Sequence, residues 1–412
     1  MNDTVDVRLD RLVYGGDAIG RLPDGRAVFV PFTLPGELVR VRLVEEKPRY
    51  TRAELLEVLE PSPGRVTPRC LHYAYCGGCH YQHMSYTDQL EAKSAIVQEQ
   101  LERIGGMKHL PTVDLLEAPQ SWYYRNHIQF HLTRDGKLGF QKSHSNQTFS
   151  IRECHLPEAA ISQLWPKIEI EPIPGLERIS VRCGKDDDLI IVLESTDPQA
   201  LEFSVEDLTV SMLHQGPGGS FVMAGSDHIL MEISGKDFWV SGASFFQVNT
   251  RQAEAMVSYI MENLPADGTM SILDLYCGVG LFSAFLAPKV KSLVGVEISP
   301  EACADFTINL DDYDHVSLYE ASVEDVCNSV SFNPDVIIMD PPREGLGKKT
   351  LIGILSQGAP RLVYISCDPA TMARDARQLV DGGYELTKIA LLDMFPQTYH
   401  VETVVMMSRV KE

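Results

Sequence analysis

The stretch that most limits the fold lies after Gly242, where apolar runs of four to six residues alternate with helix-length segments: SILDLYCGVG, SLVGVEIS, HVSLYEAS, DVIIMDPP, RLVYISCDP and ETVVMMSRV. Short runs that are apolar throughout suit strands covered on both faces, and their alternation with helical stretches predicts a doubly wound, Rossmann-like α/β sheet over residues 241–412. Such sheets bind ligands in the crevice at the carboxyl ends of their strands. The residues that close each run are therefore the first place to look for chemistry.

The rest of the chain follows other patterns. Residues 3 to 60 alternate apolar and polar residues in short runs broken by GGDAIG, PDG and LPGE, which predicts a small OB-like β-barrel and a first domain over 1–62. PSPGRVTPR reads as a linker into a central, mostly β domain over 63–240. Within it, Leu90, Ile96, Val97, Leu101 and Ile104 recur near helical spacing and predict a helix over 86–104, stopped by Gly105-Gly106 and expected to pack on the C-terminal domain. A further short helix is expected near 157–165.

Charge narrows the classes of partner. The 412 residues carry a net charge of −21, which argues against wrapping nucleic acid chiefly by neutralising phosphates. Residues 1 to 65 are nearly balanced, with ten basic against eleven acidic residues. Any RNA would meet local basic patches, and Arg40, Arg42, Lys47, Arg49 and Arg52 are candidate phosphate contacts. The opening MNDTVDVRLD has no apolar signal-like core, and no run approaches the roughly 18 apolar residues of a membrane span, so a cytoplasmic protein with no membrane partner is expected.

Four motifs carry the chemistry. ILDLYCGVG, Ile272 to Gly280, is a strand running into a glycine turn, and LVGVEIS ends the next strand on Glu297, placed to accept ribose hydroxyls. The turn lacks GxGxxG, which favours S-adenosylmethionine over a dinucleotide. DPPREGL puts Asp340 at the mouth of another strand on a rigid turn, a floor suited to a planar base. Cys367, in VYISCDPATMARD, ends the following strand just before a helix N-terminus, where the helix dipole is expected to favour a thiolate nucleophile. Finally, Cys70, Cys76, Cys79 and the distant Cys154 form a set able to close a four-thiolate site for zinc or a [4Fe-4S] cluster. Cys183, Cys277, Cys303 and Cys327 read as packing residues.

Together CLHYAYCGGC with Cys154, SFFQVN, DLYCGVG, DPPREGL, SCDPATMARD and PQTYHVET resemble the iron-sulfur-containing RNA uracil-C5 methyltransferases, over essentially the whole chain. The resemblance implies an N-terminal TRAM barrel, Cys367 as nucleophile and Glu402 of HVETV as base. It implies S-adenosyl-L-methionine contacts at Gln247, Tyr276, Glu297 and Asp340, and favours a [4Fe-4S] cluster on the four cysteines. Leu281 and Ala321-Ser322 depart from the family pattern near the cofactor. The expected substrate is a uridine in RNA, 23S rRNA first and tRNA second, acted on by a monomer. A nonenzymatic RNA-binding or chaperone protein is the alternative from another class. YYRNH with Tyr123, Tyr124, Arg125 and Asn126, and Phe140 with Lys142, read equally as an RNA surface or as β-core; His400 leans to the site.

Overall fold

A computed structural model of the chain describes residues 4–170, 173–196, 210–264 and 266–410. The chain divides into two compact units, one formed by the residues up to 99 with 140–153 and 395–400, the other by the remainder.

In the first unit, β1 (Thr4–Leu12), β2 (Asp17–Arg21), β3 (Ala27–Pro31), β4 (Leu38–Glu46) and β5 (Tyr50–Glu60) close into a barrel in the order β1-β2-β3-β5-β4. The alternation in sequence becomes alternation in space: Val28 and Val30 of β3 and Val39 and Val41 of β4 are fully buried, while the residues between them are only partly covered. Four of the five candidate phosphate contacts on the barrel lie in exposed ion pairs. Arg40 pairs with Asp6 and Glu57, Arg42 with Glu54, and Arg52 with Asp17 and Glu45, because each faces an acid on a neighbouring strand. Lys47 likewise pairs with Glu45.

Helix α1 (Tyr86–Arg103) carries the second feature of this unit. Gln89 and Gln397 exchange hydrogen bonds of 3.0 and 2.9 Å, and the fully buried Lys93 donates to the Phe395 carbonyl at 3.0 Å. The amides of His80 and Tyr81 also donate to the Gln397 carbonyl. The 395–400 segment is thereby fastened along its length.

The next strands in chain order are β6 (Val113–Leu116), β7 (His127–Leu132), β8 (Leu138–Gln141), β9 (Thr148–Ser150), β10 (Leu176–Cys183), β11 (Leu189–Ser195), β12 (Ser211–Gly216), β13 (Gly219–Ala224), β14 (His228–Ile233) and β15 (Lys236–Ser241), with a short helix α2 (Ala159–Leu164). In the second unit, β13-β12-β11-β10-β7 lie side by side as the expected mostly β region, and β14 and β15 form a hairpin.

The C-terminal segment supplies α3 (Thr250–Asn263), β16 (Ser271–Leu275), α4 (Leu281–Leu286), β17 (Ser292–Glu297), α5 (Pro300–Asn309), β18 (Val316–Glu320), α6 (Val323–Ser329), β19 (Val336–Met339), α7 (Lys348–Gln357), β20 (Arg361–Ser366), α8 (Pro369–Asp381), β21 (Tyr384–Leu392) and β22 (Glu402–Arg409). They build the expected α/β sheet, ordered β18-β17-β16-β19-β20-β22-β21-β6. β18 through β20 are parallel, and β22 is antiparallel to both its neighbours. The strand order reverses between β17 and β19, on either side of β16, so the crevice opens where the glycine turn leaves β16. The edge strand β6 comes from far upstream, pairing Val113 with Ile389; its four residues are too short a run to have stood out in the sequence. No helix among the described residues is long and apolar enough to cross a membrane.

One buried carboxylate secures the barrel to its linker. Glu37 is fully buried and accepts from the Leu34 amide (2.8 Å), the Ser62 amide (3.2 Å) and Arg65 Nε (2.5 Å). Burial pushes its carboxyl up, but Arg65 and the two amides outweigh burial and hold it below the ordinary 4.5. Its contribution is therefore full above pH 4.5 and is lost as pH falls through the lowered value. Glu37→Gln should cost about 2 kcal/mol in urea denaturation at pH 7, and the gap from wild type should narrow in acid.

Candidate active site

The glycine turn is shaped by three residues in left-handed backbone. Tyr276, Gly278 and Gly280 have φ of 59°, 53° and 90°. Gly280 caps α4, and a Cβ there would lie 3.0 Å from the Phe306 ring and collide with Leu310. A Cβ on Gly278 would meet nothing within 4 Å, so this part of the turn faces open space that a ligand can fill. Glu297, at the end of β17, accepts from the amides of Gly278 (3.0 Å), Ile298 (2.8 Å) and Ser299 (2.9 Å). The acid thus ties the turn to the neighbouring strand and keeps lone pairs for a ribose. Burial pushes the Tyr276 hydroxyl up, and a hydrogen bond with Thr350 opposes this. Leu281 is buried at the start of α4, and Ser322 caps α6 by accepting from the Asp325 amide at 3.1 Å. Both departures from the family pattern thus have packing or capping roles.

Gln247 is nearly buried, and its carbonyl accepts from Asn126 Nδ2 at 2.9 Å. Asn126 also donates through its amide to Val248 and through Nδ2 to Thr250 Oγ1. Asn126, itself buried, thus holds the SFFQVN segment; Tyr124 is also buried, and of the two YYRNH tyrosines only Tyr123 is exposed. Lys142, in the first unit, lies over the Tyr75 ring at 5.1 Å.

The juxtaposition of Cys367 and Glu402 is set by strand register. Ser366 of β20 lies opposite Thr403 of β22, and Thr403 Oγ1 donates to the Ser366 carbonyl at 3.1 Å. The next residues outward, Cys367 and Glu402, are side by side at the strand ends. Asp340 leaves the adjacent β19, its amide donating to the Leu275 carbonyl at 3.3 Å. Cys367 hydrogen-bonds with Arg343 of the same DPPREGL loop and lies near Glu402 and Asp340.

The expectation of a thiolate activated by the helix dipole is corrected here. Burial, with the nearby Glu402 and Asp340 carboxyls, pushes the Cys367 thiol up to about 12, against the opposing pull of Arg343. The helix N-terminus does not offset this, because Asp368 caps α8 and takes the amides of Ala370 (3.0 Å) and Thr371 (2.8 Å). Burial and Asp340 likewise push Glu402 well above 4.5, and burial pushes Asp340 up to about 7. Glu402 is only 3% exposed.

Two residues of this crevice had not been singled out. Arg343 is the guanidinium facing the thiol and Glu402, and it stands three places after Asp340 in a motif already quoted. Asp274, 1% exposed, accepts from Ser283 Oγ at 2.6 Å, while burial pushes it up to about 7. An acid inside the apolar run ILDL was the available signal. Asp274, Glu297, Asp340 and Glu402 give the crevice four carboxyls, an electrostatic match for a cationic sulfonium.

Cys70, Cys76 and Cys79 belong to the first unit and Cys154 to the second. The sulfurs of Cys70 and Cys76 each accept a backbone amide at 3.4 Å, from His72 and Gly78 respectively. Such N–H···S contacts suit ligating thiolates, and all-thiolate donors suit a cluster. Among the described residues no group of three or more His, Cys, Asp or Glu stands so as to hold a metal ion, so the structure does not gather the four expected cysteines into a site for either zinc or a cluster. Burial pushes His80 and His83 down to about 4, so both stay neutral near pH 7. His400 lies in the first unit, its ring 4.3 Å from that of Tyr399. The four remaining cysteines are buried, as expected.

An α/β sheet with an open glycine turn at its switch point and an acid on the next strand is the layout of nucleoside-cofactor-binding α/β proteins. The tRNA (Uracil-5-)-methyltransferase family model matches residues 202–410 and the TRAM domain model residues 2–56. RNA methyltransferases of Thermosynechococcus vestitus and Aquifex aeolicus are 33% and 32% identical to this chain, each match covering at least 97% of both chains. The Pyrococcus abyssi tRNA (uracil-54, C5)-methyltransferase, solved with S-adenosyl-L-homocysteine, superposes with a TM-score of 0.74 at 25% identity, covering 98% of this chain and 100% of its own. The chain belongs to the tRNA (uracil-5-)-methyltransferase family and is an RNA methyltransferase.

If Arg343 supports the thiol, Arg343→Ala should slow iodoacetamide alkylation of Cys367 at pH 8. A slowing of about 3- to 10-fold corresponds to a rise of roughly half to one pKa unit.

Proposed function

We propose that this enzyme methylates carbon 5 of a uridine in RNA, with Cys367 as nucleophile and Glu402 as base. The observation that carries this reading is the placement of Cys367 beside Glu402 by the antiparallel register of β20 and β22.

Carbon 5 of uracil is too weak a nucleophile to take a methyl group unaided. Cys367 sulfur adds to carbon 6, and the electron pair of the 5,6 double bond moves to carbon 5 and the carbon 4 oxygen. S-adenosylmethionine, when bound, supplies an electrophilic methyl group; Gln247, Tyr276, Glu297 and Asp340 are the residues we assign to holding it. Glu402 then takes the proton from carbon 5, and loss of the sulfur from carbon 6 restores the double bond. For the first step the thiol must lose its proton, and Arg343 is the cation placed to favour that. For the last step Glu402 must ionise, which a cationic donor in the same acidic crevice favours. The target base must leave its stack to reach this buried pair.

The substrate we favour is 23S rRNA, on the combination of barrel and cysteine set. A tRNA is the second reading, supported by the likeness to the Pyrococcus abyssi tRNA enzyme. We assign Cys70, Cys76, Cys79 and Cys154 to a [4Fe-4S] cluster that holds structure or docks RNA, and retain 1–62, 63–240 and 241–412 as the functional division. The enzyme is proposed to act as a cytoplasmic monomer.

The test is tritium release from RNA labelled at uracil carbon 5. Wild type should release tritium only with S-adenosylmethionine, Cys367→Ala should release none, and separating rRNA from tRNA should name the substrate. Absence of release from both RNAs by wild-type protein would overturn the reading. For the cluster, anaerobically purified protein should contain iron and sulfide, and Cys76→Ser should lose both along with visible absorption; iron-free wild-type protein would remove the assignment.

A further inference from the structure

The motif SCDPATMARD contains more than a nucleophile and a cap. Asp375, on α8, is fully buried, and the proposed chemistry leaves it without a role. Its Oδ2 accepts from the Leu346 amide at 2.6 Å and from the Tyr364 hydroxyl at 2.9 Å. Its Oδ1 accepts from Arg374 Nε at 2.8 Å. The carboxylate thus joins β20, which leads into Cys367, to the loop after β19, which carries Asp340 and Arg343.

Two neighbours on α8 complete the grip. Arg374 Nη2 donates to the Glu344 carbonyl at 2.8 Å, and Thr371 Oγ1 donates to the Arg343 carbonyl at 3.1 Å. Gly345, between those residues, sits at φ 73°, and a Cβ there would collide with Asp375 Oδ2 and come within 2.8 Å of Arg374 Nη2. The loop is therefore held residue by residue from 343 to 346 against the face of one helix.

We propose that Asp375 is a positioning residue which, through the 343–346 loop, holds the Arg343 guanidinium against Cys367. This rests on the reading of Cys367 as the nucleophile. The Asp375–Arg374 ion pair, with the arginine side chain 46% exposed, is a weak device for stability alone. What this one gives is geometry. The Leu346 amide, the Arg374 guanidinium and the Tyr364 hydroxyl converge on one carboxylate, and the loop cannot shift without stranding a buried donor. The charged groups facing the thiol are Arg343, Glu402 and Asp340, so a displaced Arg343 leaves it facing only carboxyls.

The experiment uses the full-length protein and follows alkylation of Cys367 by iodoacetamide at pH 8, read by mass spectrometry on its own peptide. Asp375→Asn keeps the shape of the side chain and removes its charge. It should slow alkylation about as much as Arg343→Ala, by roughly 3- to 10-fold. The double variant should be no slower than either single one, because both act on the same contact. S-adenosylhomocysteine binding should stay within about twofold of wild type, a result that general unfolding would not give. If Asp375→Asn does not fold, Thr371→Val removes the hydroxyl that holds the Arg343 carbonyl and should slow alkylation in the same direction.

Alkylation of folded Asp375→Asn at the wild-type rate would overturn the proposal, as would effects of the two substitutions that multiply, or an unchanged rate in Thr371→Val. The readout needs no RNA. Slowed alkylation in a protein whose wild type releases no tritium would therefore overturn the assigned function while leaving the positioning role in place.

Discussion

The site depends on the antiparallel insertion of β22 between β20 and β21. A purely parallel sheet would bring its functional residues to the crevice only from strand carboxyl ends. β22 runs the other way, so its first residue arrives where β20 leaves off, and Ser366 opposite Thr403 fixes the pairing. A slip of one residue would turn Glu402 to the other face and separate it from Cys367. The fastened 395–400 segment leads directly into that strand, with Gln89 and Lys93 holding it in the first unit.

The same crevice is rich in buried acids. Four carboxyls, Asp274, Glu297, Asp340 and Glu402, share it with the Arg343 guanidinium, and burial pushes the Asp274, Asp340 and Glu402 carboxyls and the Cys367 thiol up. This arrangement sets the Cys367 thiol among carboxyls, with Arg343 opposing them. It also explains how a chain of net charge −21 serves an RNA-modifying enzyme: the negative interior suits the methyl donor, while RNA must be met elsewhere on the surface.

Much of this was legible in the sequence because strand ends announce themselves. DLYCGVG, VEIS, MDPP and ISCDP each stop an apolar run on a polar residue, and the structure places those residues on one rim. The barrel was equally readable from alternation. Three things were not. The β6 strand pairs with β21 across most of the chain's length, and a four-residue run has no local signal for a distant partner. The ion pairs of the barrel arginines had no local signal, because sequence does not show the cross-strand neighbours Asp6, Glu54 and Glu57 that face them. The state of Cys367 was misjudged because a helix N-terminus was visible in the sequence, whereas its capping by Asp368 and the depth of burial were not.

The most direct test of the central claim is to stop the reaction between methyl transfer and elimination. Glu402→Gln, incubated with substrate RNA and S-adenosylmethionine, should accumulate a denaturation-resistant protein–RNA adduct whose nucleotide carries the transferred methyl group, with the link mapped to Cys367. Further substitution of Cys367 by Ala should abolish it. Rapid turnover by Glu402→Gln with no adduct, or an adduct mapped to another cysteine, would contradict the pairing of Cys367 and Glu402 on which this account rests.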